Sequence, residues 1–204
     1  MSRHLPLALL IGYGVLFVLL GISPADRAVW WVENLTVVAV VAVIVGLHRR
    51  FQFRPAALLL MSVFVVMHTV GGHYTFSHVP IGWVTETFGF GRNHYDRIAH
   101  FSVGLYAYGA AQVLWERRLV RSRFLLFTWP LFLVMAVAAG YELFEWGFAT
   151  LVDPQAGAEV LGSQGDVWDA QRDMLADTLG ALFALAGFAW THRHELRPEC
   201  GPAA

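Results

Sequence analysis

The chain has 204 residues, 57% of them hydrophobic and only 14% charged, with a mean hydropathy of +0.53. A soluble domain carries nearer a quarter of its residues as charges, so this composition excludes an ordinary soluble globular protein. The formal net charge of −1, with no basic stripe interleaved with exposed aromatics, argues against nucleic acid as a partner.

The apolar residues gather into six blocks of roughly bilayer-crossing length. The first runs from Leu5 to Ile22 behind Arg3 and turns at Ser23-Pro24-Ala25-Asp26. Those small residues resemble a signal-peptide cleavage site, but the run is long enough to span, so a retained helix is expected. The second block, Ala28 to Leu47, opens with Trp30 and Trp31, aromatics that favour a membrane interface. Glu33 and Asn34 follow one turn in; interfacial solvation is the expected role of Asn34, while Glu33 stays open as support for a site. A basic loop, His48, Arg49, Arg50 and Arg54, closes the block.

The third block, Ala56 to Val70, carries His68 and ends at Gly71-Gly72-His73-Tyr74, where paired glycines allow a close approach. A loop with His78, Pro80, Gly82 and Glu86 leads to Arg92-Asn93-His94-Tyr95-Asp96-Arg97-Ile98-Ala99-His100-Phe101. The fourth block follows directly, from Tyr95 to Trp115. The fifth, Phe124 to Leu151, contains Pro130, which predicts a kink, and Gly140-Tyr141-Glu142-Leu143-Phe144-Glu145-Trp146. A polar loop with Asp153, Glu159, Asp166 and Asp169 precedes the sixth block, Gln171 to His192, which bears Asp173 and Asp177 early. The single cysteine, Cys200, lies in the tail and excludes an internal disulfide or a cysteine zinc site.

The expected fold is all-α: a polytopic membrane helix bundle of six transmembrane helices. Residues 1–192 form one domain, and 193–204 a disordered cytoplasmic tail. With six crossings, one side receives Arg3, Arg49, Arg50, Arg54, Arg117, Arg118, Arg121, Arg123, Arg193 and Arg197, and the other only Arg27, Arg92, Arg97 and Arg172. By the positive-inside rule both termini are cytoplasmic. His73, Asp96, His100, Glu142, Glu145, Asp169 and Asp173 then all fall near the outer face.

Ionised acids inside a bilayer are costly, so these side chains are expected to turn inward together. One outcome is a buried ion-pair network that only aligns helices. Another is a site, in either of two forms. His73, Asp96, His100 and Glu142, with Glu145 beside them, could hold a divalent metal that activates water. Alternatively Arg92, Arg97 and Arg172, with Asp166, Asp169 and Asp173 around them, could hold an anionic phosphate or lipid head group. Then His100, Glu142, Glu145 or Asp96 would move protons. In either form Asp96, one turn before His100, is expected to orient its ring. His68 and His78 are expected to be structural, Trp168 an interface anchor, and Gly104, Gly109, Gly180 and Gly187 packing residues. The rival to an enzyme is a small transporter or proton-coupled permease, which requires a polar path to the cytoplasmic side.

Gly71-Gly72-His73-Tyr74-Thr75, Arg92-Asn93-His94-Tyr95-Asp96-Arg97 with His100-Phe101, Tyr141-Glu142-Leu143-Phe144-Glu145-Trp146 and Gly165-Asp166-Val167-Trp168-Asp169 with Gln171 and Asp173 together resemble the bacterial inner-membrane YjdF family. The resemblance spans most of the chain and implies an inner-membrane location, without a reaction. More distantly, the second half is similar to VanZ-type membrane proteins, associated with glycopeptide resistance. Asp96-Arg97-x-x-His100-Phe101 and Asp173-x-x-x-Asp177-x-x-Gly180 carry that likeness. Here Asp177 replaces a usual asparagine and Glu145 a common glutamine, so this pocket is the more anionic. The likeness implies a cell-envelope role.

Overall fold

The computed structural model describes residues 4–151, 161 and 163–196, and among them every regular element is a helix. In order these are α1 (Leu5–Leu20), α2 (Arg27–Phe51), α3 (Pro55–Tyr74), α4 (Gly82–Phe88), α5 (Tyr95–Gly104), α6 (Tyr106–Glu116), α7 (Arg123–Leu151) and α8 (Asp169–Thr191). Four of them, α2, α3, α7 and α8, are long and apolar enough to cross a membrane, and α1 is a shorter apolar helix. Arg3, Asp153, Glu159, Arg197 and Cys200 lie outside the described residues.

Local chemistry sets the helix ends. Asp26 caps α2 by accepting from the backbone N–H of Ala28 and Val29 at 2.7 and 2.9 Å. Pro55 opens α3, where its missing N–H costs nothing. Pro130 lies inside α7, which nevertheless runs unbroken from Arg123 to Leu151.

The fourth apolar block departs from the expected single helix, because α5 and α6 meet at a break around Leu105. The Leu105 N–H donates to Ser102 O, at 3.2 Å, and the Ser102 hydroxyl bonds Ala99 O at 2.5 Å. Serine back-bonding bends helices, and Gly104 weakens the same turn. The loop before it also differs, since residues 82–88 coil into α4.

The break lies where α8 crosses α5. A methyl group on Gly104 would run into the backbone of Asp177, Gly180 and Ala181, and one on Gly180 into Phe101 O. Two bare backbones therefore touch, as small-residue crossings in membranes allow. Gly109 faces Met61 and Gly72 faces Glu33 and Asn34, but a methyl on Gly187 would meet nothing within 4 Å among the described residues, against the packing role expected of it.

Buried residues on α7 recur at Leu126, Pro130, Val134, Ala138 and Glu145, and on α8 at Asp173, Asp177, Gly180, Ala184 and Phe188. Each set is one helical stripe. Apolar at the arginine-rich end and acidic at the other, the stripes make an apolar core of Met61, Leu105, Ala111, Val134 and Leu185 below a polar cluster. The opposite faces are exposed and apolar, as at Phe132, Leu143 and Phe183. Trp31, Trp83, Trp146 and Trp168 are exposed, whereas Trp30, expected at an interface, is buried against Phe17 and His73. Residues 193–196, expected to begin a disordered tail, form a turn, and Leu196 packs into the core.

Candidate functional site

The N-terminal turns of α5 and α8 and the late part of α7 bring the polar side chains together in two tiers. The outer tier is an arginine–aspartate lattice. Arg92 Nη1 donates to Asp169 Oδ1 at 2.5 Å and to Ser163 O at 3.0 Å. Arg97 Nη2 contacts Asp169 and lies 3.3 Å from Asp166, while its Nη1 contacts Asp173. Arg172 Nη1 donates to Asp166 Oδ2 at 2.6 Å. Asn93 pins the surrounding loops, donating through Nδ2 to Ser77 O and Val79 O and exchanging bonds with Gln164.

Asp166 is the part of this lattice that lies before α8. The backbone N–H of Trp168 foremost, with Arg172 and Arg97 adding, holds its carboxyl below the usual carboxylate range. A depressed folded-state value stabilises the fold above the unfolded value, about 3.9, and the benefit is lost as pH falls through the folded value. Thermal unfolding of Asp166→Asn should therefore lose part of the wild-type fall in Tm between about pH 4 and pH 2. Identical acid profiles for the two proteins would remove Asp166 from the account.

The inner tier centres on His100. Its Nδ1 lies 3.1 Å from Asp177 Oδ2, and since a carboxylate only accepts, Nδ1 carries a proton. Nε2 then faces Asp96 Oδ1 at 3.7 Å, Asp173 Oδ1 at 3.8 Å and Glu142 Oε1 at 4.0 Å. Those separations are too long for hydrogen bonds. Asp96, His100 and Asp173 offer ligand atoms all within 4.8 Å of one another. A tetrahedral site with bonds of about 2.1 Å has edges of about 3.4 Å, so the two edges at His100, 3.7 and 3.8 Å, would shorten by a few tenths of an ångström and the edge between the aspartates by up to about 1.4 Å to close this set on an ion.

Several sequence expectations change here. Asp177, reached across the Gly104–Gly180 crossing, orients His100, and Asp96 stands on the ring's other side. His73, expected as a ligand, is not among the side chains gathered at His100. Its Nδ1 bonds Leu20 O at 2.6 Å and its ring packs edge-on to Trp30. Arg92, Arg97 and Arg172 each face aspartates, so an anion would have to compete with carboxylates already in contact.

A third group was invisible to residue-by-residue reasoning. Glu33, 3% exposed, lies 3.0 Å from His68 Nε2 and accepts from Tyr141 Oη at 3.1 Å. Asn34, expected to be solvated at an interface, is fully buried and donates to Trp30 O. The available signal was spacing: Trp30, Glu33, Asn34 and Val37 share one face of α2, and Met61, Val65, His68 and Gly72 one face of α3.

Beside the inner tier, α2, α3, α5, α6 and α7, with Asp177 of α8, line a cavity of about 500 Å³. Asp96, His100, Tyr141, Glu145 and Asp177 line its polar end, and Val40, Leu47, Phe53, Leu133 and Val137 its apolar remainder.

The family described as "Predicted membrane protein (DUF2238)" matches residues 5–194. The chain is 37% identical over 179 residues to the inner membrane protein YjdF of Escherichia coli (strain K12), covering 87% of this chain and 85% of that one. No solved structure gives a significant match. With nearly its whole length matched, the chain belongs to the DUF2238 family of integral membrane proteins.

Proposed function

We propose that this protein is a metal-dependent enzyme of the bacterial inner membrane, acting from the periplasmic side on a lipid or anionic substrate of the cell envelope. It crosses the bilayer six times as one domain over residues 1–192, with both termini cytoplasmic. In this reading α1 is the first crossing and the broken pair α5–α6 the fourth. The arginine bias between the two ends supports that orientation, and the inner-membrane relative supports the location.

The observation that carries the reading is the imidazole edge of His100 facing three carboxylates across gaps too wide for hydrogen bonds. Arg97 contacts Asp173, and Arg97 and Arg92 lie 3.8 and 3.9 Å from Asp96, yet Glu142 Oε1 is buried with no hydrogen-bond partner among the described residues, an arrangement that favours a further cation among these acids. Asp96, His100 and Asp173 are the ligands, Glu142 completes the set, and Asp177 fixes the ring as a supporting carboxylate does in metal sites. An incoming cation would release Arg97 from Asp173 towards Asp169 and Asp166, which it already contacts. A divalent ion there would polarise a phosphoryl or carbonyl oxygen and activate water. Glu145, beside Tyr141, is the group available to carry a proton.

The rival transporter needs a polar lane towards the cytoplasm. Below Tyr141 the cavity walls are apolar, as at Val40, Val43, Ile44, Leu47, Val134 and Val137, apart from Tyr106, whose hydroxyl donates to Met61 O, which favours an enzyme.

Elemental analysis of the purified protein tests the reading. About one divalent ion per chain is expected, falling at least about tenfold in occupancy in Asp173→Asn, a substitution that keeps the side chain's shape. Metal-free wild-type protein, with an unfolding temperature that chelator does not move, would leave only the helix-aligning ion-pair network.

A further inference from the structure

The cavity beside His100 has a shape that the metal reading does not require. Its α2 wall rises from Leu47 through Val43 and Val40 to Thr36. Eleven residues of helix span about 16 Å, about one leaflet of a hydrocarbon core roughly 30 Å thick. A volume of about 500 Å³ spread over that length gives a mean cross-section of about 30 Å², a lane for one chain. Val43, Leu47 and Val137 are also largely exposed on the bundle's apolar outside. The lane therefore opens sideways between α2 and α7, where the bilayer's own acyl chains lie. Its upper end is closed by the Tyr141–Glu33 hydrogen bond that ties these two helices.

At that end the walls change character. Glu145 is buried, lines the cavity and has no hydrogen-bond or ion-pair partner among the described residues. Asp177 is fully buried and lines it too; His100 takes its Oδ2, while its Oδ1 has no hydrogen-bond partner among the described residues. The Glu145 carboxyl thus waits at the top of an apolar lane, next to the His100 cluster, with Asp177 Oδ1 sealed behind the wall. A buried acceptor without a donor is unfavourable, and in a membrane no bulk water relieves it.

We infer that the cavity seats a monoacyl phospholipid of the outer leaflet, its single chain lying between α2 and α7. The free glycerol hydroxyl beside the ester donates to Glu145. The phosphate, one link further out, reaches the cation held by Asp96, His100 and Asp173. A diacyl lipid has a second chain where this hydroxyl stands, so it leaves Glu145 without a donor and overfills the lane. The assignment names the substrate class of the enzyme proposed above and rests on that reading for the phosphate contact alone; the chain and the hydroxyl are held by protein atoms.

The test is binding of palmitoyl lysophosphatidylethanolamine to the full-length protein in mild detergent, followed by native mass spectrometry. Ala39→Trp and Val137→Trp each fill the lane from one wall, at positions exposed enough for the fold to accept an indole. Wild-type protein should bind the lysolipid at least tenfold more tightly than the dipalmitoyl lipid with the same head. Each tryptophan variant should lose that binding at least tenfold while keeping wild-type metal content and unfolding temperature. Glu145→Leu should narrow the preference for the lysolipid over the diacyl lipid to less than threefold. Equal affinity for one-chain and two-chain lipids, or undiminished binding in both tryptophan variants, would overturn the inference with the metal reading intact. Lysolipid binding blocked by the tryptophans in a protein that holds no metal would uphold the lane and sink the metal reading instead.

Discussion

Gly180→Ala is expected to destabilise the folded protein by about 3 kcal/mol, the upper end of what overpacking in a tight site costs. The added methyl would meet Phe101 O, and Gly104 lies directly opposite. Backbone cannot rotate away as a side chain can, so α5 and α8 must part. In a chain of this size the loss corresponds to a fall in unfolding temperature of roughly 6–12 °C. Parting the helices also stretches the 3.1 Å contact between His100 and Asp177, since each lies within a turn of the crossing. Metal occupancy should therefore fall together with stability. Gly187→Ala on the same helix supplies the control. That position opens on empty space, and alanine is the better helix former by up to about 1 kcal/mol, so the protein should be unchanged or firmer. Equal behaviour of the two variants in a thermal melt would refute the backbone crossing.

The contrast between those glycines marks what sequence can and cannot deliver here. Block lengths, hydropathy and the arginine distribution lay open in the chain, so α2, α3, α7 and α8 fall within a few residues of the predicted blocks. The gathering of Asp96, His100, Glu142, Asp173 and the arginines at one end was equally legible, because apolar helices fix the depth of every residue they carry. Rotation and crossing angle are a different matter. Asp96 and Asp177 both lie one turn or one helix away from His100, and only the α5–α8 approach decides that Asp177 takes Nδ1. His73 shares the depth of the cluster yet turns towards α1 to bond Leu20 O. His68 looks like a lone core histidine until Glu33 arrives from α2 and Tyr141 from α7. Depth is a one-dimensional property that composition encodes, whereas partnership depends on which stripe each neighbour presents.

Arg97→Met is expected to cost about 3–5 kcal/mol, because it removes one side of a buried charge pair and strands the other. The guanidinium bridges Asp173 through Nη1 and Asp166 with Asp169 through Nη2. Asp169 keeps Arg92 at 2.5 Å, and Asp166 keeps Arg172 at 2.6 Å, so neither is stranded. Asp173, 2% exposed, is left among the carboxylates of Asp96 and Glu142. Arg97→Lys should recover only part of the loss, since an ammonium cannot fork towards two aspartates in opposite directions. Arg97→Met with Asp173→Asn should recover most of it, because deleting both partners of a buried pair is far milder than deleting one. The same variant separates a bare ion-pair lattice from a metal site. If Asp173 is a ligand, a divalent cation can take the place of the lost guanidinium. At a concentration about a hundredfold above its Kd, it should return about 2.7 kcal/mol to Arg97→Met and nothing to the double variant, which lacks the ligand. Rescue by the second substitution but never by divalent ions would mean that the lattice exists to hold α5, α7 and α8 in register. Rescue by both would make Arg97 the resident stand-in for the ion that the site is built to exchange.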